Sequence, residues 1–267
     1  MSADQRRAGR FVPVTWLLVA VLGTGPLLAQ ARGGRGGAPA GPPPTAKAAA
    51  PADFTGNWVS VVTEDWQWRM VTPNKGDYAS VPLNPAGRKI ADAWTADQDG
   101  SCKAFGAPAL LRHPGRLRIS WQDDQTLKIE TDAGQQTRLL RFGAPPASGP
   151  RTLQGHSAAE WQLPPGGAAS TGAGGGSGPR QQPRAGSLKV VTTNLLAGWL
   201  RKNGVPYSEN AVLTEYFDRF TDGSSEWFAV TTIVEDPANL TMPFIISSNF
   251  KQESDGSRWT PAPCKAS

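Results

Sequence analysis

The chain reads as an all-β protein: an eight- to nine-stranded antiparallel meander that forms a closed or nearly closed, lipocalin-like barrel, with one short helix between the early strands. Three observations lead there. Apolar residues recur at every second position through most of residues 53–267. Turn-forming groups separate these runs at short intervals: Asp123-Asp124, Asp132-Ala133-Gly134, Asn203-Gly204, Asp222-Gly223 and Asp255-Gly256. Short sequential connections make antiparallel neighbours, and closing the sheet removes its exposed edges.

Taken in order, the first element is an export signal over residues 1–31. The basic group Arg6-Arg7-Ala8-Gly9-Arg10 precedes an apolar stretch from Phe11 to Leu28, and Ala29-Gln30-Ala31 supplies small residues for cleavage after Ala31. Pro13, Thr15 and the Gly23–Pro26 break leave only Trp16 to Leu22 as a clean run, too short to cross a bilayer. Residues 32–52 are Gly, Pro and Ala with three charges and no aromatic group, the composition of a disordered tether. A single domain over 53–267 follows. Its strands begin with Thr55–Val62. The helix comes next, with Asn84 as cap, Pro85 at the first position, and Ile90 and Trp94 on one face. Leu117, Ile119 and Trp121 then alternate with Arg116, Arg118 and Ser120, and Leu127, Ile129 and Thr131 do the same in the next run. The rhythm continues through Gln136–Phe142, Ala158–Gln162, Leu188–Leu195, Val212–Phe220, Trp227–Glu235 and Phe244–Lys251. A flexible Gly-rich stretch at 164–186 interrupts patterned sequence and is an insertion, not a boundary.

Charge is distributed unevenly over the 267 residues. The formal charge of +5 comes entirely from residues 1–52, which hold six basic groups and one acid; the remainder carries 21 of each sign. The folded body therefore lacks the basic footprint of a nucleic-acid-binding surface. Mean hydropathy of −0.37 excludes a helical membrane domain. Cys102 and Cys264 are the only cysteines. In an oxidising compartment outside the cytosol, periplasmic or secreted, the pair is expected to form a disulfide. Closing so long a loop stabilises the fold by roughly 4–5 kcal/mol on the chain-entropy model.

Thr55-Gly56-Asn57-Trp58 after Phe54 resembles the G-x-W opening of lipocalins and the wider calycin barrels, whose Trp plugs the closed end. A longer series resembles a widespread group of uncharacterised exported bacterial proteins. It comprises Cys102 to Pro114, Gly155-His156-Ser157 with Trp161, Leu188 to Thr192, Arg201 to Glu209, Leu213 to Phe217, Val234-Glu235-Asp236-Pro237 and Pro243-Phe244. The resemblance implies a tight hairpin after the G-H-S strand, at whose tip the Gly-rich insertion would lie. It implies no activity. Tyr207 stands where that group usually has His, so a two-histidine site is incomplete here.

Candidate site residues fall into two sets. Trp58, Val62, Trp66, Trp68 and Met70 share one parity of the first long run, with Glu64 among them. A regular strand would turn that carboxylate inward beside three Trp rings, which is costly unless it is paired. A bulge or turn at Glu64-Asp65, the favoured reading, places Glu64 in water instead. With Trp121 and Tyr216, the residues Trp58, Trp66, Trp68 and Glu64 are the candidates for lining an apolar ligand site. The second set is His156, Glu209 and Glu215, with Tyr207: a His near two carboxylates suits a divalent metal or general acid–base work. A hydrogen-bonded His at a strand end, with Glu209 capping a turn, is the favoured structural alternative. His113, beside Pro114, is expected at the surface. Gly155-His156-Ser157 lacks the last Gly and the following helix of a nucleophile elbow, and Asp123-Asp124 sits in a hairpin turn, where Asp bonds its own backbone. No dinucleotide, phosphate-loop or zinc fingerprint occurs, so no cofactor is expected.

Three functions compete. The leading one is a non-enzymatic exported barrel that binds a small, largely apolar molecule or an envelope protein; a barrel whose interior is completely filled by side chains would sink it. An enzyme or metal protein requires His156, Glu209 and Glu215 to converge, since separations well beyond about 8 Å cannot share one ion. A structural or assembly module would keep an exposed strand edge or a large apolar patch.

Overall fold

The computed structural model describes residues 43–99, 102–143, 149–163 and 186–264; the export signal, the first half of the tether and most of the Gly-rich insertion lie outside them. Nine strands form one closed barrel: β1 (Gly56–Val61), β2 (Arg116–Asp123), β3 (Thr126–Thr131), β4 (Thr137–Phe142), β5 (His156–Gln162), β6 (Ser187–Thr193), β7 (Val212–Asp222), β8 (Ser225–Glu235) and β9 (Phe244–Glu253). They follow chain order around the ring, and β1 closes it by pairing with both β2 and β9. The meander departs from pure antiparallel order at one place, where β4 and β5 run parallel. An odd ring demands this, because directions cannot alternate around nine strands. The parallel pair falls where residues 143–155 give the chain length to cross over, about a dozen residues being needed.

Turn chemistry sets the hairpins. Asp123 Oδ1 accepts a hydrogen bond from Gln125 N at 2.8 Å, so the β2–β3 turn binds its own backbone. Gly223 takes φ +59° between Asp222 and Ser225, which pair across the β7–β8 turn. The β5–β6 hairpin pairs from His156–Thr193 to Gln162–Ser187, so the Gly-rich insertion leaves from its tip.

One end of the barrel is closed by chain read as tether. Residues 43–52 are ordered against the barrel, in contrast to that expectation. Ala46–Ala49 form a helical turn, Ala46 is buried, and its carbonyl accepts from Trp161 Nε1 at 2.8 Å. The physical reason is aromatic: Trp121, Phe142 and Trp161 cluster there, with ring centroids 5.0–6.4 Å apart, and a Pro/Ala segment covers them. Phe54 completes this end, stacked on Trp161 and edge-on to Phe217 and Phe228.

The other end carries a cap made from two long connections, residues 62–115 and 194–211. In the first, α1 (Pro85–Ala93) starts at Asn84, whose side chain accepts from Gly87 N at 2.8 Å. Gly87 and Ala91 face inward, but Ile90 and Trp94 do not share a face as expected. Trp94 caps the helix with extended backbone and is buried, whereas Ile90 is 44% exposed. In the second connection Gly198–Arg201 pairs antiparallel with Val205–Tyr207 as a small ribbon. Its turn needs glycine: Gly204 has φ +79°, and a Cβ there would stand 2.1 Å from Trp94 Cγ. Cys102 and Cys264 are joined in the expected disulfide, with Cα atoms 5.5 Å apart. The bridge ties the cap to the C-terminal residues Ala262–Pro263, which pair in parallel with Ala133–Gly134. Among the described residues no helix is long and apolar enough to cross a membrane.

Candidate functional site

Alternation along the strands decides what enters the barrel. Leu117 and Ile119, Leu127 and Ile129, Leu188 and Val190, and Phe228 and Val230 all point in, with Trp58, Phe217 and Phe250 as the largest members. Trp58 is completely buried; its Nε1 donates to Phe54 O at 2.9 Å and its ring meets Phe228 edge-on at 4.7 Å. The same inward parity carries two charges. Arg138, in line with Leu140, meets Glu215, in line with Leu213 and Phe217. Arg138 Nη2 lies 2.7 Å from Glu215 Oε2 and Nη1 lies 3.1 Å from Oε1, a fork-to-fork pair with side-chain exposures of 0% and 1%. Thr192 Oγ1 and Ser157 Oγ also accept from Nη2, at 3.2 and 3.4 Å. These side chains, with the Arg138–Glu215 pair among them, occupy the lumen.

The residues singled out in the sequence disperse accordingly. The strand ends at Val61, Asp65 takes a left-handed conformation (φ 53°), and Trp66–Arg69 form a helical turn. One parity therefore does not run from Trp58 to Met70, and the break falls at the Glu64-Asp65 pair. Trp66 is 66% exposed, and Trp68 donates its Nε1 to Asp77 Oδ2 at 2.8 Å. Glu64 lies near Arg69 (3.4 Å) and accepts from Ser247 Oγ (3.3 Å). Trp121 packs in the aromatic end, and Tyr216 alternates with the inward Glu215 and Phe217, so it sits on the outer face. His156 alternates with the inward Ser157, Glu215 is held by Arg138, and exposed Glu209 pairs with Arg151 at 3.6 Å. These three do not share partners, and among the described residues no group of three His, Cys, Asp or Glu side chains could hold a metal. His113 is turned inward, not exposed as expected: its Nε2 is 2.6 Å from Ala104 O and its ring stacks on Phe105 at 4.4 Å. Burial pushes its imidazole down to about 4.

A cleft does open in the cap. It has a volume of about 380 Å³ and lies between Ala86 and Ile90 of α1, the ribbon residues Trp199, Pro206 and Tyr207, and Ala238. Lys103, Ser208, Glu209 and Asn239 add polar groups to an otherwise apolar wall. Buried Asp236 fixes this wall. Its carboxylate accepts from Ser208 N and Oγ, both at 2.7 Å, and from Asn239 Nδ2 at 2.8 Å. Asn84 Nδ2 reaches the carbonyls of Pro237 and Ala238 at 3.1 Å, which anchors the start of α1 to the same loop. Tyr207 is buried with its hydroxyl between Gly106 and Gly198 and, among the described residues, without a hydrogen-bond partner; burial pushes the phenol upward. The cleft thus joins Tyr207 and Glu209 from the polar candidate set and none of the aromatic ligand candidates. Sequence reasoning missed Asp236, although it stands in the Val234–Pro237 motif, and missed Arg138 despite its inward parity.

No protein-family model, curated protein or solved structure matches this chain.

Proposed function

We propose that the protein is an exported, non-enzymatic β-barrel that binds a small, largely apolar molecule in the cap cleft, not in the barrel lumen. One observation carries this: a cleft of about 380 Å³ with apolar walls and a few fixed polar groups, at the end of a barrel whose interior is packed. That volume and lining suit a small organic ligand. Ile90 supports the reading, since a large apolar side chain left 44% exposed on α1 gains a purpose at the cleft wall. The Cys102–Cys264 disulfide supports the exported compartment, as does the resemblance to exported bacterial proteins.

The test is native mass spectrometry of protein recovered from the periplasm, beside binding of the uncharged fluorophore N-phenyl-1-naphthylamine. The expected result is one apolar adduct or one probe per chain, lost in Ala197→Trp, because exposed Ala197 also lines the cleft and a Trp there would fill part of it. Equal probe binding by Ala197→Trp would overturn the assignment of the site.

A further inference from the structure

Toward the other end of the Gly198–Arg201 strand from that cleft, three arginines converge inside the cap. Arg69, Arg112 and Arg201 are 5%, 5% and 3% exposed, and all three line a small cavity with Trp68 and Lys202. Arg69 is satisfied: its Nε donates to Arg112 O at 2.9 Å, and its Nη atoms reach Glu64 and Ser60 at 3.4 Å. Arg112 Nη2 reaches Asp65 Oδ2 at 3.4 Å, but its Nη1 is buried without a partner. Arg201 has none of its three nitrogens hydrogen-bonded among the described residues; its Cζ lies over the Trp68 ring, 4.8 Å from the ring centre. A cation over an aromatic face gives its N–H groups no hydrogen-bond acceptor, so the Arg201 donors remain to be met by something else.

The charges around the cavity are Arg69, Arg112, Arg201 and Lys202 against Glu64, Asp65 and the nearby Asp77, an excess of one positive charge. Burial lowers Arg201, and burial with repulsion from Arg201 lowers Arg112 to about 10; a guanidinium stays charged at neutral pH. Leaving such donors buried and unpaired is costly. A water molecule would accept from them without neutralising the excess charge. The cavity is small, about 10 Å³, which favours a compact anion over a polyatomic oxyanion.

We infer that the cap holds a structural halide site, in which a single chloride-class monatomic anion accepts hydrogen bonds from Arg201 and from Arg112 Nη1. The anion neutralises the excess charge and fastens the segment around Arg112 to the ribbon. The site is independent of ligand binding in the larger cleft.

The experiment compares thermal unfolding of the purified protein in sodium chloride, bromide, acetate, phosphate and gluconate at one ionic strength. Chloride and bromide should raise Tm saturably, by about 3–6 °C at tenfold over half-saturation, while acetate, phosphate and gluconate give none of that rise. Arg201→Met should abolish the halide-dependent rise while unfolding in gluconate no lower than the wild type. Crystals of the wild-type protein soaked in bromide should give an anomalous peak between Arg112 and Arg201, a readout that does not depend on the variant folding. A Tm set by ionic strength alone, an equal saturable rise with acetate or phosphate, or absence of the bromide peak would each overturn the inference.

Discussion

Replacing Arg138 or Glu215 singly should cost far more than replacing both. Arg138→Met leaves the Glu215 carboxylate in the lumen with its two charge-assisted bonds, 2.7 and 3.1 Å, removed. Glu215→Met leaves a guanidinium with only the two hydroxyl acceptors, Thr192 and Ser157. Breaking a buried pair by removing one partner costs about 3–5 kcal/mol. For a body of roughly 210 residues that lowers Tm by about 6–20 °C. The double variant replaces both charges with apolar groups of similar volume, and Ser157 and Thr192 still satisfy each other at 2.7 Å. Its stability should lie within about 1 kcal/mol of the wild type, because the desolvation of two ions is relieved along with the loss of their attraction. Urea unfolding of the four proteins gives the cycle, with a coupling of about 3 kcal/mol or more expected. Single losses below about 1 kcal/mol, or a double variant that loses the sum of the two, would refute the ion pair as the organiser of the lumen.

Reducing the Cys102–Cys264 bridge, or replacing both residues with Ser, should cost up to about 5 kcal/mol for a loop of 162 residues; hydrogen exchange at Ala262 and Pro263's neighbours should quicken at the same time, and an unchanged Tm would count against it. Tyr207→Phe removes a buried, unpartnered hydroxyl and should stabilise the protein by about 1 kcal/mol in calorimetry. Gly106→Ala, whose Cβ would stand 1.9 Å from that hydroxyl, should destabilise it, and Tyr207→Phe should recover part of the loss. His113 has a folded-state value near 4, below its ordinary 6.5, so the unfolded chain takes up this proton first on acidification. Stability from keeping it neutral is complete above pH 6.5 and falls by about 3 kcal/mol as pH drops to 4; Tm measured across that window should lose this slope in His113→Asn.

The parts of the barrel visible in the sequence are those where one face is apolar and the other polar. Leu127, Ile129 and Thr131, or Phe228, Val230 and Thr232, each sit on a period of two that local sequence states directly. Whether β4 and β5 run parallel depends on the ring holding nine strands, a count of the whole fold that no local pattern contains. Trp66 and Trp68 continued the parity of Trp58 on paper, yet the strand stops at Val61 and the left-handed Asp65 turns the chain into a helical turn before them. The cap was least legible, since its wall is made of irregular chain held by long-range bonds such as Ser208 to Asp236 and Asn84 to Pro237. Arg138 and Glu215 did leave a signal: each is a charge in line with apolar neighbours on an inward face, which requires a partner. Their 77-residue separation hid which partner it was.

Amide-resolved NMR with N-phenyl-1-naphthylamine tests the central claim most directly. Saturable shifts should concentrate on Ala86, Ile90, Ala197–Trp199, Tyr207–Glu209 and Ala238, around the cap cleft, and leave Leu117–Ile119 and Phe228–Val230 of the packed barrel unmoved. Shifts centred on those barrel strands, or none at the cleft, would contradict the assignment of ligand binding to the cap.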